Sequence, residues 1–367
     1  MNNRLIENIL KLSNVPLVSS VRIRYLINYF KDSDEIFKSS KNELLKINSI
    51  SEKIANNILN FDYTYIQKQI DEQFKLIEKY NVQVITFWDS EYPEQLRNIT
   101  YPPVLLFARG DTSLLKKKSI AIVGTRNPSK YGIDSAKYFS SNLSKSDLVI
   151  LSGMAYGIDS ISHQIALDEK GKTIAVLGSG VDVIYPKENQ KLAERIISEG
   201  LLVSEFPMKT QPAIQNFPAR NRIIVGISIA VILIESDING GGIITAKFAL
   251  NENRQLFAVP GNINSKKSKG TNLLIKNSEA KLIQNVDDVL CELNLKNENN
   301  TSIERNYDNL NEKELKIINL LSQDILHVDK ISDECNLNPS DTLINLLNLE
   351  LNGLIRKLPG NFYQIVE

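Results

Sequence analysis

The chain has 367 residues, 42% of them hydrophobic and 23% charged, which places it among globular proteins of two or three domains. No apolar run approaches the roughly 20 residues of a membrane span, and the polar opening Met1-Asn2-Asn3-Arg4 is no secretory signal, so a cytoplasmic protein with no membrane attachment is expected. The formal charge sums to zero, yet residues 115–290 carry 22 Lys and Arg against 16 Asp and Glu while residues 291–367 carry 7 against 13, so an anionic partner is expected for the middle of the chain alone.

Residues 1–80 read as short helices with turns at Asp32-Ser33-Asp34 and Ile47-Asn48-Ser49. Leu44 to Ala55 has the rhythm of a helix-hairpin-helix, as in SAM-like helical domains. Asn48, Ser49 and Ser51 stand where glycines are usual, which favours packing over phosphate binding. A strand over Val82–Phe87 and the stretch Tyr101–Phe107 lead into four apolar runs: Ser119–Val123, Leu148–Leu151, Thr173–Leu177 and Ile229–Ile234. Each stops at small or polar residues. Short Val/Ile/Leu-rich strands alternating with helical stretches predict a doubly wound α/β sheet running to about Ile283, with ligands outside the strand carboxyl ends. Asn294–Asn309, rich in Asn and Glu, reads as a linker. Beyond it, Glu312–Leu321, Val328–Asn336 and Pro339–Leu351 read as helices, followed by a hairpin around Pro359-Gly360-Asn361, which is a winged-helix pattern. The expected divisions are 1–80, 81–290, 291–309 and 310–367.

At the first strand end, Gly124-Thr125-Arg126 puts a guanidinium where dinucleotide folds carry further glycines, and no GxGxxG follows. Arg126 suits a phosphate, which its planar fork can grip with parallel hydrogen bonds; pairing with a nearby carboxylate is the other reading. Ser152-Gly153-Met154-Ala155-Tyr156-Gly157 supplies small residues at the next strand end, with Asp159 in the first helical turn as a cap and His163, one turn on, as a packing residue, a base or ligand being the other reading. Lys187 follows Gly178-Ser179-Gly180 as a second candidate phosphate contact. Asn216-Phe217-Pro218-Ala219-Arg220-Asn221-Arg222 is expected on a loop, where arginines hold backbone phosphates and Phe217 offers a stacking face, or where Phe217 sits in the core. Lys266, Lys267 and Lys269 add a flexible basic loop that is either a solvated surface or part of a site. Two histidines and the unpaired Cys291 and Cys335 leave no expected metal site or required disulfide, and no GxSxG, Walker or HExxH motif occurs. Asp159, Glu205 and Glu235 lie near element ends as possible paired carboxylates.

These residues carry a resemblance. Asp89-Ser90-Glu91-Tyr92-Pro93, Val123-Gly124-Thr125-Arg126, the Ser152 to Asp159 stretch, Leu177 to Asp182, Ser204-Glu205-Phe206-Pro207, Phe217 to Arg222, Gly242 to Ala246 and Phe257 to Gly261 follow one another as in the DNA-processing protein A family (DprA, also called Smf). The chain resembles that family over roughly residues 82–283. Asn253 stands where the family commonly has glycine, and Asn277-Ser278-Glu279-Ala280 replaces its Asp-Gly-Ala; both are expected at the edge of the site. The resemblance implies an extended Rossmann-like core that dimerises, takes no cofactor, catalyses nothing and binds single-stranded DNA. It further implies protection of incoming strands in natural transformation and help in loading the RecA recombinase. The residues it points to are Gly124, Thr125, Arg126, Ser152, Gly153, Ala155, Gly157, Lys187, Phe217, Arg220, Asn221 and Arg222, with Lys266, Lys267 and Lys269. The rival expectation is an enzyme on a nucleotide or nucleoside phosphate, similar to the lysine-decarboxylase-like group, whose PGGxGTxxE signature Gly240 to Thr245 matches only in part. The third winged-helix helix has no Lys or Arg, so a protein-contact or dimer-modulating role is expected there, with Asn345 and Asn348 as the residues able to read bases.

Overall fold

Apolar side chains recur at helical spacing through the first 80 residues, and the computed structural model, which describes residues 3–295, 310–322, 324–352, 354–358 and 360–365, folds them into helices. These are α1 (Asn3–Ser13), α2 (Ser20–Phe30), α3 (Glu35–Lys38), α4 (Lys41–Leu45), α5 (Glu52–Asn60) and α6 (Tyr63–Lys79). A capping box starts α4: the Ser40 hydroxyl accepts from the Glu43 N–H while the Glu43 carboxylate accepts from the Ser40 N–H. Ser49 turns the chain between α4 and α5 at φ 84°, and its carbonyl accepts from Arg22 Nε at 3.1 Å.

The sheet follows, with β1 (Gln83–Thr86), α7 (Glu94–Arg97), β2 (Leu105–Gly110), β3 (Ser119–Gly124), α8 (Lys130–Lys145), β4 (Val149–Ser152), α9 (Ile158–Asp168), β5 (Thr173–Val176), α10 (Gln190–Glu199) and β6 (Leu201–Ser204). Then come α11 (Asn216–Ile227), β7 (Ala230–Ile234), α12 (Gly241–Asn251), β8 (Gln255–Ala258), α13 (Lys269–Lys276), β9 (Lys281–Leu282) and α14 (Val286–Glu292). The strand order is β1-β2-β6-β5-β4-β3-β7-β8-β9, parallel from β6 to β9 and antiparallel at the β1 and β2 edge. Every residue of β7 is buried, as a strand covered on both faces requires. Val231 and Leu233 alternate with Ile232 across the sheet, and burying each such side chain contributes about 1.5–3 kcal/mol.

Ile9, Leu26, Leu44 and Ile54 of the helical segment share one apolar cluster with Val84, Leu105 and Phe107 of the first two strands. Met1–Val289 accordingly forms one compact unit, and residue 80 falls inside its continuous packing. Asn253 (φ 53°) and Ser278 (φ 58°) occupy left-handed turns leading into β8 and β9, at the amino edge of the sheet. That corrects their expected place beside the site. The left-handed region costs residues other than glycine energy, and asparagine least among them.

The second unit, Leu290–Glu367, contains α15 (Glu312–Leu321), β10 (Leu326–His327), α16 (Val328–Cys335), α17 (Pro339–Leu351), β11 (Ile355–Leu358) and β12 (Phe362–Ile365). Its antiparallel order β10-β12-β11 beside three helices is a winged helix. Asn345 is buried, donating to the Asp341 carbonyl and accepting from Asn311, so it does not read bases. From Lys296 the expected linker lies outside the described residues, as does Pro359 of the hairpin turn. Among the described residues no helix is long and apolar enough to cross a membrane.

Candidate nucleic-acid interface

β3 is flanked by β4 on one side and β7 on the other, so the connections after β3 and β7 leave in opposite directions and open a crevice at their carboxyl ends. The crevice there has a volume of about 590 Å³. Its walls are Gly124, Thr125, Arg126 and Ala155 from the first two loops, Phe217, Arg220 and Asn221 from α11, and Ser236, Asp237 and Gly240–Gly242 after β7.

Arg126 stands exposed at the rim with its Cζ 5.6 Å from the centre of the Phe217 ring. Phe217 in turn lies 5.6 Å from Tyr185, the two rings tilted by 33°. Among the described residues Arg126 has no carboxylate within ion-pair reach, which leaves its donors facing solvent. The loop beneath it is fixed from β7: Thr125 N–H donates to the Glu235 carbonyl at 2.8 Å, and the buried Glu235 carboxylate accepts from the Ser129 N–H at 2.8 Å and from the Ser129 hydroxyl. Gly157 (φ 77°) lets the β4–α9 loop close on this one, because a Cβ there would run into the Thr125 carbonyl and the Arg126 backbone.

The segment expected as a loop is instead the first turns of α11, a correction with a simple cause. Pro218 is the third residue of that helix, where no intrahelical N–H bond is lost, and its fixed φ suits a helical start. Arg220 is consequently buried, 5% exposed, with Nη1 donating to the carbonyls of Gly153 and Val176 and Nε to Asn221 Oδ1 at 3.1 Å. Burial pulls its guanidinium down to about 10, with the Arg126 charge adding to the effect and Asp159 opposing it. Gly153 is small for this reason: a Cβ would stand 2.5–2.6 Å from the guanidinium. Arg222 pairs with Glu205 and donates to the Tyr101 carbonyl; burial raises the Glu205 carboxyl while Arg222 holds it down.

Asp159 does not cap its own helix but reaches back, accepting from the N–H groups of Gly153 at 3.1 Å and Ala155 at 3.4 Å. Burial raises its carboxyl and the Arg220 charge counters that. Ser152 is buried with its hydroxyl on the Ile122 carbonyl at 2.6 Å. His163 is buried; burial and Arg220 hold it neutral, with its value lowered to about 3. The three candidate carboxylates therefore have separate duties: Asp159 on the β4–α9 loop, Glu205 on Arg222 and Glu235 on Ser129.

Gly124, Thr125, Arg126, Ala155, Phe217, Arg220 and Asn221 thus meet in one crevice, and Gly153 lines a small recess beside it with Tyr156, Gly178 and Ser179. Ser152, Gly157, Lys187, Arg222, Lys266, Lys267 and Lys269 are not among its walls. Lys187 is exposed on a short 3-10 turn (Lys187–Asn189). The expected flexible lysine loop is a 3-10 turn, Lys266–Ser268, running into α13, and Lys266 pairs with Asp237 at 3.4 Å. Sequence reasoning missed Tyr185, Ile214, Ser236 and Asp237 as wall residues. Ser236 and Asp237 carried a usable signal, since they follow β7 as Thr125 and Arg126 follow β3.

Comparison with known proteins places this geometry in context. The family model described as DNA recombination-mediator protein A matches residues 83–294, and the DprA winged helix domain model matches residues 304–361. DNA processing protein DprA of Streptococcus pneumoniae is 38% identical over 275 residues, spanning 70% of this chain and 97% of its own length. Its namesake from Bacillus subtilis is 40% identical over 213 residues, 58% of this chain and 71% of that one. The crystal structure of the pneumococcal protein aligns with a TM-score of 0.68 at 34% identity, covering 80% of this chain and 98% of that one. DNA processing protein A from Helicobacter pylori aligns with a TM-score of 0.53 at 32% identity, covering 57% of this chain and 95% of that one, and its structure describes a single-stranded DNA binding mode.

Proposed function

This chain belongs to the DNA recombination-mediator protein A family, and from that premise we propose that it binds single-stranded DNA along the carboxyl rim of its sheet. Its role is then to protect incoming strands during natural transformation and to help load the RecA recombinase, acting as a cytoplasmic homodimer. The observation that carries the reading is Arg126, an exposed strand-end guanidinium lying over Phe217 with no carboxylate to neutralise it among the described residues.

A guanidinium so placed grips a phosphodiester, and the adjoining Phe217 and Tyr185 rings offer faces to bases that only an unpaired strand can present. Gly124, Thr125 and Ala155 keep the approach open, while Lys187, Lys267 and Lys269 extend the positive surface outward. The H. pylori relative, described with single-stranded DNA, supports the choice of ligand. Engagement of Asp159, Glu205 and Glu235 in holding loops and an arginine supports a non-catalytic reading over the nucleotide-processing alternative. Fluorescence anisotropy with labelled oligothymidine tests it. Affinity independent of base sequence and falling with salt is expected, and release of free base from nucleoside monophosphates on incubation with the pure protein would favour the enzyme instead.

A further inference from the structure

Resting on the single-stranded DNA reading, we propose that Arg220 and Asp159 are a buried positioning pair that sets the rim loops and meets no phosphate. Read in sequence, Arg220 looks like another grip on the strand. In the fold its guanidinium joins the carbonyl of Gly153, just past β4, to that of Val176, the last residue of β5. Asp159 takes the N–H of the same Gly153 at 3.1 Å and of Ala155 at 3.4 Å. Gly153 is therefore held by its carbonyl from α11 and by its N–H from α9. Two helices are locked onto the turn that forms the wall beside Arg126.

Asp159 argues most directly for positioning. A negative charge beneath a polyanion site weakens binding through its field, so electrostatics alone gives no reason for it. Its geometric duty does. Both groups are nearly buried, Arg220 at 5% and Asp159 at 7% exposed, and three N–H groups of the guanidinium are already spent on protein acceptors.

The test measures oligothymidine affinity of the full chain across potassium chloride for wild type, Arg220→Gln and Asp159→Ala, with the active fraction taken from stoichiometric titration. Each variant should bind about tenfold more weakly, roughly one charge-assisted hydrogen bond's worth, at full active fraction and with the wild-type salt slope. A slope shallower by about 0.7 in Arg220→Gln would make Arg220 a phosphate contact and overturn the proposal. Unchanged or tighter binding by Asp159→Ala overturns it as well. So does a loss confined to active fraction at unchanged affinity, which marks a purely structural role. If Arg220→Gln fails to fold, Asp159→Ala decides alone. Wild type lacking affinity at any salt sinks the DNA reading itself, and this inference with it; wild-type binding with indifferent variants sinks only the positioning pair.

Discussion

Gly157 is the residue on which two rim loops close, and its φ of 77° is one that side chains with a Cβ adopt only under strain. Gly157→Ala should cost about 1–3 kcal/mol in urea unfolding, because the new methyl group meets the Thr125 carbonyl as well. Unfolding indistinguishable from wild type would show that the loops are not locked there. The Arg222–Glu205 pair is mostly buried, its side chains 15% and 14% exposed. Removing one partner strands the other, so Glu205→Ala should lose roughly 3–5 kcal/mol, and a loss below 1 kcal/mol would mean the site relaxes or admits water. Sequence singled out both arginines but could not show which way they face. The carbonyls that Arg220 reaches lie 67 and 44 residues away, and no local pattern encodes such a contact.

At the level of elements, strands β3, β4, β5 and β7 were legible because burial on both faces demands unbroken apolar runs bounded by small residues. The start of α11 was not, since Phe217-Pro218 reads as a turn unless the proline is known to fall in the first helical turn. Helix α9 carries a pH device that follows from its packing. The Thr173 hydroxyl donates to the Ile150 carbonyl, so His163 must donate to it from Nδ1, at 2.6 Å, leaving Nε2 a bare buried lone pair. With its value at about 3 in the fold and ordinarily near 6.5, His163 is protonated first in the unfolded chain. Stability is then full above about pH 6.5 and falls as pH drops toward 3, by up to about 1.4 kcal/mol per unit. His163→Leu should flatten this slope between pH 7.5 and 5 in urea titrations; an unchanged slope would assign the acid sensitivity to other groups.

Across the whole molecule, charge is segregated: residues 115–290 hold six more cations than anions, and residues 291–367 six fewer. Helix α17 exposes Leu343, Ile344 and Leu347 and carries Asp341 and Glu350 without a single cation, a surface unsuited to phosphates. A chain ending at Leu295 should therefore keep oligothymidine affinity within roughly threefold, and a tenfold loss would bring the winged helix into DNA binding. The salt dependence of binding by Arg126→Ala isolates the one guanidinium at the sheet rim. The variant should bind every strand more weakly, with the slope of log affinity against log salt shallower by about 0.7, one phosphate fewer. Wild-type affinity and an unchanged slope in that variant would mean that Arg126 meets no phosphate.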